Sequence, residues 1–218
     1  MDGDSSDKTL DIARRYESKN TKLHSYPENS LYETLNNGIN LASGDIIGIL
    51  NDDDSYFKPN VLAKVSNSFK NTDCDSCYGD LIYCNHKNYY KIIRYWKTGS
   101  YKQNSFHWGW MPPHPTFFAR KEIYTRLGSF RTDLGTSADY ELMLRFLYIH
   151  KISTTYIPEI LVKMRTGGIS NISLMNRIQA NIMDRKAWKI NGLTPYPLTL
   201  FFKPLRKINQ WFSKPGIN

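Results

Sequence analysis

A mixed α/β fold, a sheet flanked by helices, is what this sequence predicts, on three observations. Apolar runs of strand length alternate with segments whose apolar residues recur every three or four positions. Capping and turn residues stand at the joints between them. The chain has 218 residues, 40% of them hydrophobic, enough for one domain with a sizeable core plus at most an appendage.

Taken in order, Ser5 or Ser6 caps a predicted helix over 7–17, followed by a short strand near 22–26. Ser30 caps a second helix with Leu31, Leu35 and Ile39 on one face, ended by Gly44. The run Ile46-Ile47-Gly48-Ile49-Leu50 belongs to a buried strand over 45–50, followed by an acidic loop and a helix over 60–69. Residues 75–84 and 89–95 pattern as a β-hairpin around Asn85-His86-Lys87-Asn88. A loop over 97–115, rich in Trp, Gly and Pro, leads to a short strand at 116–119 and a short helix at 120–127. Ser137 caps a strong helix to His150, with Leu142, Phe146 and Ile149 at helical spacing. Strands over 153–157 and 160–165, a Gly-containing loop and a helix over 173–190 complete the body.

Composition narrows the function. The chain opens polar, without the pattern of a signal peptide, and no apolar run approaches the roughly 20 residues of a membrane span. A soluble or peripheral protein is expected. Cys74, Cys77 and Cys84 give no disulfide framework, and the pair in Cys74-Asp75-Ser76-Cys77 lacks a second pair for zinc, so reduced cytosolic thiols are expected. Aromatics reach 14%, which suits sugar, base or membrane-interface contacts as well as a core. The net charge of +9 is confined: residues 185–218 hold seven Lys and Arg and no acid, while the rest is nearly balanced. Nucleic-acid binding, which wants a basic face on the folded body, is disfavoured.

In that tail Leu198, Phe201, Phe202, Leu205, Ile208 and Phe212 recur at helical steps, with Lys203, Arg206 and Lys207 between them. Pro204 kinks this helix or begins it. A basic amphipathic helix suits an anionic membrane surface; a terminal helix packed back on the core is the alternative.

Asp52, Asp53 and Asp54 follow the strand over 45–50 after the single residue Asn51. Carboxylates this close repel in a dry site unless a cation joins them, and the carboxyl end of a strand is where open α/β sheets bind ligands. Mg²⁺ or Mn²⁺ with a phosphate-bearing substrate accounts for them; so does a solvated acidic turn. Trp108 and Trp110 would stack on a sugar ring or anchor their loop. Arg165, Gly167 and Gly168 would close over a diphosphate, where glycine permits close backbone approach.

Seven polar clusters fall at element boundaries: Asp2-Gly3-Asp4-Ser5-Ser6, Asn36-Asn37-Gly38 through Gly44, Leu50-Asn51-Asp52-Asp53-Asp54, Tyr78-Gly79-Asp80, Gly109 through Thr116, Ser137-Ala138-Asp139-Tyr140-Glu141, and Met164-Arg165-Thr166-Gly167-Gly168. In this order they resemble the family 2 glycosyltransferases, nearest the bacterial branch that builds surface polysaccharide, from Asp2 to about Gly192. The resemblance implies a GT-A (Rossmann-like) mixed sheet over 1–192, with 193–218 as the appended basic tail. It implies Asp53 and Asp54 as metal ligands, Asp53 also facing the donor, and Asp2 against the nucleotide base. It implies Asp139 as catalytic base and His114 as a substrate-facing residue beside Trp108 and Trp110. Displacement at an anomeric carbon needs one carboxylate to take the acceptor's proton, and a Ser137-capped helix start would hold Asp139 for it.

The family pattern normally places a strand, a helix and a strand before the Asp2 cluster, and none precedes it here. Central strands would then lack neighbours, leaving unpaired edges, and weak or absent activity is expected. Glu28-Asn29-Ser30 also replaces the family's usual Asp-x-Gly turn, and Asp52 stands where a small residue is commoner. The reading is a metal-dependent, inverting glycosyltransferase at the inner face of the cytoplasmic membrane. It would move sugar from a nucleotide-sugar, a UDP-sugar by resemblance, to a lipid-linked or oligosaccharide acceptor. An inactive remnant or binding module is the alternative.

Overall fold

The computed structural model describes residues 1–27, 30–166, 174–213 and 215, and of 174–178 the backbone alone. In chain order the elements begin α1 (Thr9–Arg14), α2 (Leu31–Leu41), β1 (Ile46–Gly48), β2 (Ser55–Tyr56), α3 (Val61–Thr72), β3 (Ser76–Cys84) and β4 (Ile92–Trp96). They continue β5 (Phe118–Arg120), α4 (Lys121–Leu127), α5 (Ala138–Met143, extended by a π turn over Leu144–Ile149), β6 (Thr154–Arg165), α6 (Leu174–Ile190) and α7 (Thr199–Phe212). The glutamate and asparagine at 28 and 29 lie outside the described residues, as do Gly167 and Gly168.

The sheet is organised around β3, which is buried along its whole length. One edge of β3 runs parallel to β6, from Ser76↔Thr154 to Cys84↔Arg165. Its other edge is antiparallel to β5 at the start and to β4 at the end. With β1 on β5 and β2 on β6, the order is β1-β5-β3-β6-β2, a mixed sheet as expected. Strand pleat sends alternate β3 residues to opposite faces. Cys77, Leu81 and Tyr83 meet Val61, Val65 and Phe69, whose four-residue spacing forms the buried face of α3. Tyr78 turns the other way, into a second cluster with Phe106, Trp110, Tyr140, Phe146 and Trp188.

Local chemistry explains the boundaries. The Ser30 side chain accepts from Glu33 N–H at 3.3 Å, so α2 starts where its cap predicts. The expected helix over 7–17 shrinks to Thr9–Arg14, which buries no residue and so lacks packing to extend it. The expected strand at 22–26 is a single parallel bridge, Asp2↔Ser25. The two strands expected over 153–165 are one, because a bulge absorbs Pro158: Tyr78 faces Tyr156 but Asp80 faces Ile160. Gly79 sits opposite, where a Cβ would come within 2.5 Å of Leu161 Cγ. The two-residue β2 was not anticipated.

The tail does pack on the body. Helix α7 contains Pro204 and lies against β4 and the turn Ser105–Trp108. Buried Arg94 donates from Nε to Gln210 Oε1 at 2.7 Å, and Gly109, at φ +71°, meets the Lys203 backbone. Yet Phe201, Leu205, Ile208 and Phe212 face outward and stay exposed. Among the described residues no helix is long and apolar enough to cross a membrane.

Candidate active site

The acidic loop leaves β1 and enters β2, and β2 pairs with β6 through Ser55↔Lys163. The acids immediately precede Ser55, and its partner Lys163 immediately precedes Met164 and Arg165 at the end of β6. Met164 and Arg165 in turn pair with Tyr83 and Cys84 at the carboxyl end of β3. The triplet therefore lies on the rim formed by the carboxyl ends of the two central parallel strands, the position at which open α/β sheets bind ligands.

On that rim Asp54 is half-buried and incompletely satisfied. Asn51 Nδ2 donates to its Oδ2 at 3.3 Å, while Oδ1 is buried without a partner. Burial first, and the Asp53 charge second, push its carboxyl up to about 7, against the pull of the Asn51 amide. An acceptor-only oxygen shielded from water beside another carboxylate fits a hard divalent cation, which takes one or two carboxylates and keeps sites for water and phosphate. No set of three His, Cys, Asp or Glu grouped to hold a metal occurs among the described residues.

Tyr83, on β3, is buried close to Arg94. Its phenol is raised above the ordinary tyrosine range by burial, opposed by the Arg94 guanidinium and assisted by the charges of Asp54 and Asp139. Asp139 is half-buried in the first turn of α5, its Oδ1 accepting from Tyr140 N–H at 2.7 Å. The expected Ser137 cap is corrected: the residue is buried and its hydroxyl donates instead to Ala180 O at 3.3 Å. A 3-10 turn over Thr132–Ser137 already leads the chain into the helix. His114 also feels the Asp139 charge, which partly offsets the downward effect of burial on its imidazole, and its ring meets Phe130 edge-on at 5.3 Å.

The remaining predicted residues divide. Arg165 is exposed on the rim, its guanidinium 5.0 Å from the Tyr89 ring, and Tyr89 bonds Ser55 just beyond the acids. Trp108 is 53% exposed and packs on Phe202 of α7. Trp110 is 4% exposed, wedged among Tyr78, Tyr101 and Phe106, and donates to Thr98 O at 2.9 Å. It is an anchor of its loop and offers no face to a sugar. Asp2 accepts from Ser5 N–H, the Ser5 hydroxyl and the Ser25 hydroxyl, which hold its carboxyl down at about 2, the Ser5 hydroxyl most of all. No hydrogen bond or ion pair joins it to Asp53, Asp54 or Asp139 among the described residues.

Two buried residues near the site, Tyr83 and Arg94, carry no distinctive sequence signal, whereas Asp80 belongs to the Tyr78-Gly79-Asp80 cluster. Asp80, buried, accepts from Tyr95 and Tyr156 hydroxyls at 2.5 and 2.8 Å and from Thr98 N–H at 2.8 Å, fixing the start of the 97–115 loop. Tyr83 and Arg94 belong to an ordinary hairpin pattern.

Comparison with known proteins decides the family. The profile of glycosyl transferase family 2 matches residues 1–128. The chain belongs to that family. Curated relatives in Mycobacterium tuberculosis and Mycobacterium bovis, each a PGL/p-HBAD biosynthesis glycosyltransferase, are 24% identical over 176 residues. That alignment takes in 78% of this chain and 66% of each relative, so the chain spans just under two thirds of their length. Crystal structures share the fold, supporting the GT-A architecture. S. aureus TarS superposes with a TM-score of 0.61 at 13% identity, over 96% of this chain and 78% of that one. TarS has also been solved in complex with UDP-GlcNAc. The mannosyltransferase PcManGT of Pyrobaculum calidifontis, bound to GDP-Man and Mn²⁺, gives 0.58 at 15% identity, over 96% and 58%.

Proposed function

We propose that this chain transfers a sugar, with inversion, from a nucleotide-sugar to a lipid-linked or glycan acceptor in the synthesis of a surface polysaccharide or glycolipid. The observation that carries the reading is the buried, unpartnered Oδ1 of Asp54 on the sheet rim, beside the second carboxylate of Asp53. The nucleotide-sugars bound by TarS and PcManGT, and the names of the mycobacterial relatives, support the donor and product classes.

Asp53 and Asp54 are the residues that would hold Mn²⁺ or Mg²⁺. Such a cation, when bound, neutralises the donor diphosphate and favours its departure. Arg165 adds a fixed cation at the same rim. Asp139 takes the proton of the acceptor hydroxyl as that oxygen attacks the anomeric carbon from the face opposite the nucleotide. His114 lines the acceptor side next to it. The outward apolar face of α7, with Lys and Arg at its borders, would rest on anionic lipid at the inner face of the cytoplasmic membrane.

Calorimetry with UDP and Mn²⁺ on wild type and Asp54→Ala tests the donor half. Metal-dependent binding in wild type, weakened at least about tenfold in the variant, is expected for loss of a ligand. Its absence in wild type would support a binding module or an inactive remnant instead. The anomeric configuration of the product, read by NMR, tests inversion.

A further inference from the structure

Helix α7 is put together inside out. A helix on the surface of a soluble body ordinarily turns its apolar stripe inward and its polar face to water. Here the inward contacts are polar. Lys203 reaches Asp184 at 2.5 Å and lies over the Tyr140 ring at 3.9 Å, and Gln210 accepts from Arg94. Leu198, Phe201, Leu205, Ile208 and Phe212, at alternating steps of three and four, form one stripe on the opposite side, each at least 40% exposed. No charged residue falls within that stripe.

The stripe continues onto the body. Phe201 meets Phe202 edge-on at 6.4 Å, and Phe202 meets the exposed Trp108 at 5.3 Å. A Cβ at the neighbouring Gly109 would overlap the backbone of Phe202 and Lys203, so the loop lies flush against the helix. Trp108 therefore shares a surface with α7, and the loop that carries it runs on to His114. Tyr140, beneath Lys203, directly follows Asp139, which puts the start of α5 about one helix diameter, ~10–12 Å, from the outer stripe.

Charge and composition point to what covers this surface. Segment 97–115 has two Lys and no acid, and segment 185–218 has seven Lys and Arg and no acid. Trp108, Trp211 and Tyr196, all exposed, are of the residue types that settle at the headgroup level of a bilayer. A second copy of the same face would bring like charges together. An anionic bilayer matches both the apolar stripe and the cations around it.

We propose that Trp108 and the outer stripe of α7 form a single docking surface for an anionic lipid bilayer, which sets the acceptor side of the site at the lipid headgroups. The proposal rests on the glycosyl-transfer reading and extends its membrane contact from the tail to the loop before His114. Of the two acceptor classes, the lipid-linked one fits this placement.

The test uses the full chain with vesicles of phosphatidylcholine alone or of an equal mixture with phosphatidylglycerol. Flotation should show binding to the mixed vesicles, weakened about tenfold or more in Ile208→Asp, which sets a carboxylate in the stripe. The urea midpoint of that variant should be unchanged, since Ile208 is exposed. Emission from Trp108, isolated by comparing Trp211→Phe with the double variant Trp108→Phe/Trp211→Phe, should be quenched by brominated phosphatidylcholine in the mixed vesicles. Equal binding to neutral vesicles, unchanged binding of Ile208→Asp or an unquenched Trp108 overturns the surface. So does a dimer in sedimentation velocity that Ile208→Asp abolishes, without vesicle binding, which would give the stripe to a second copy. Binding of UDP and Mn²⁺ without vesicle binding would sink the docking surface and leave the donor reading standing; vesicle binding without UDP binding would do the reverse.

Discussion

Two pairs of charged residues in this fold, of the same chemistry, have opposite circumstances. Behind the site, Glu141 and Arg145 face each other one turn apart and leave almost nothing unsatisfied. Arg145 donates to both Glu141 oxygens at 2.8 and 3.0 Å and to the carbonyls of Leu127, Gly128 and Ser129, while Asn191 adds a bond to Glu141. At the rim, Asp54 keeps a bare buried oxygen and Arg94 a bare buried nitrogen. A completed pair stabilises the fold; an incomplete buried ion raises the energy of the free protein until a ligand supplies the missing charge. Satisfaction and not burial sets these charges apart, since Glu141 is the most buried of the four.

The strongest way to break that comparison is to remove one member of each kind. Glu141→Ala should cost about 3–5 kcal/mol in urea denaturation, because it strands Arg145 in the interior. Arg94→Met should change stability by no more than about 1 kcal/mol, since an apolar side chain of similar length replaces an ion that has no counter-charge. Equal losses in the two variants would refute the distinction.

Next in size is the seat of α7. Alanine at Gly109 would put its Cβ 2.4 Å from Lys203 N, at a φ of +71°. A loss of about 1–2 kcal/mol is expected, with faster proteolytic cleavage within 199–212. Unchanged proteolysis would mean that α7 is not held by this approach.

A pH experiment sharpens the case of Asp54. Its carboxyl is raised, so its protonated form favours the folded state. In the absence of metal the stability it contributes is complete below about 4 and is lost as pH rises through about 7. The gap in urea midpoint between wild type and Asp54→Asn should therefore move against wild type over that window, and added Mn²⁺ should reverse the trend. A gap independent of pH would show Asp54 to be an ordinary surface acid.

The smallest effect expected is none at all. Cys74, Cys77 and Cys84 are buried, and burial raises the Cys77 thiol to about 12. A thiol reagent such as DTNB should leave the folded protein unmodified and titrate three groups in urea. Rapid reaction in the folded state would reopen a chemical role for the 74–77 pair.

Much of the site was legible because its signals are local. The acidic triplet follows an apolar run that could only be a strand, and Asp139 opens a strongly periodic helix. The capped start of α2 and the spacing of Val61, Val65 and Phe69 likewise needed no tertiary information. The failures were non-local. Pro158 reads as a strand breaker until a bulge opposite Gly79 accommodates it, and Trp110 reads like Trp108 until one is buried and the other is not. Ser137 reads as a cap, but packing against α6 redirects its hydroxyl.

The sequence by itself determined most of the order of strands and helices, and the family through seven short clusters. Those depend on periodicity and on neighbours within a few positions. Tertiary structure alone decided that one carboxylate oxygen of Asp54 is buried without a partner, and that Arg94 is buried without a counter-charge. It also decided that α7 lies on the body through Gln210 and Lys203, with Phe201, Leu205, Ile208 and Phe212 outward. Each of these depends on which strand pairs with which, and a burial or a missing partner is a property of distant segments brought together.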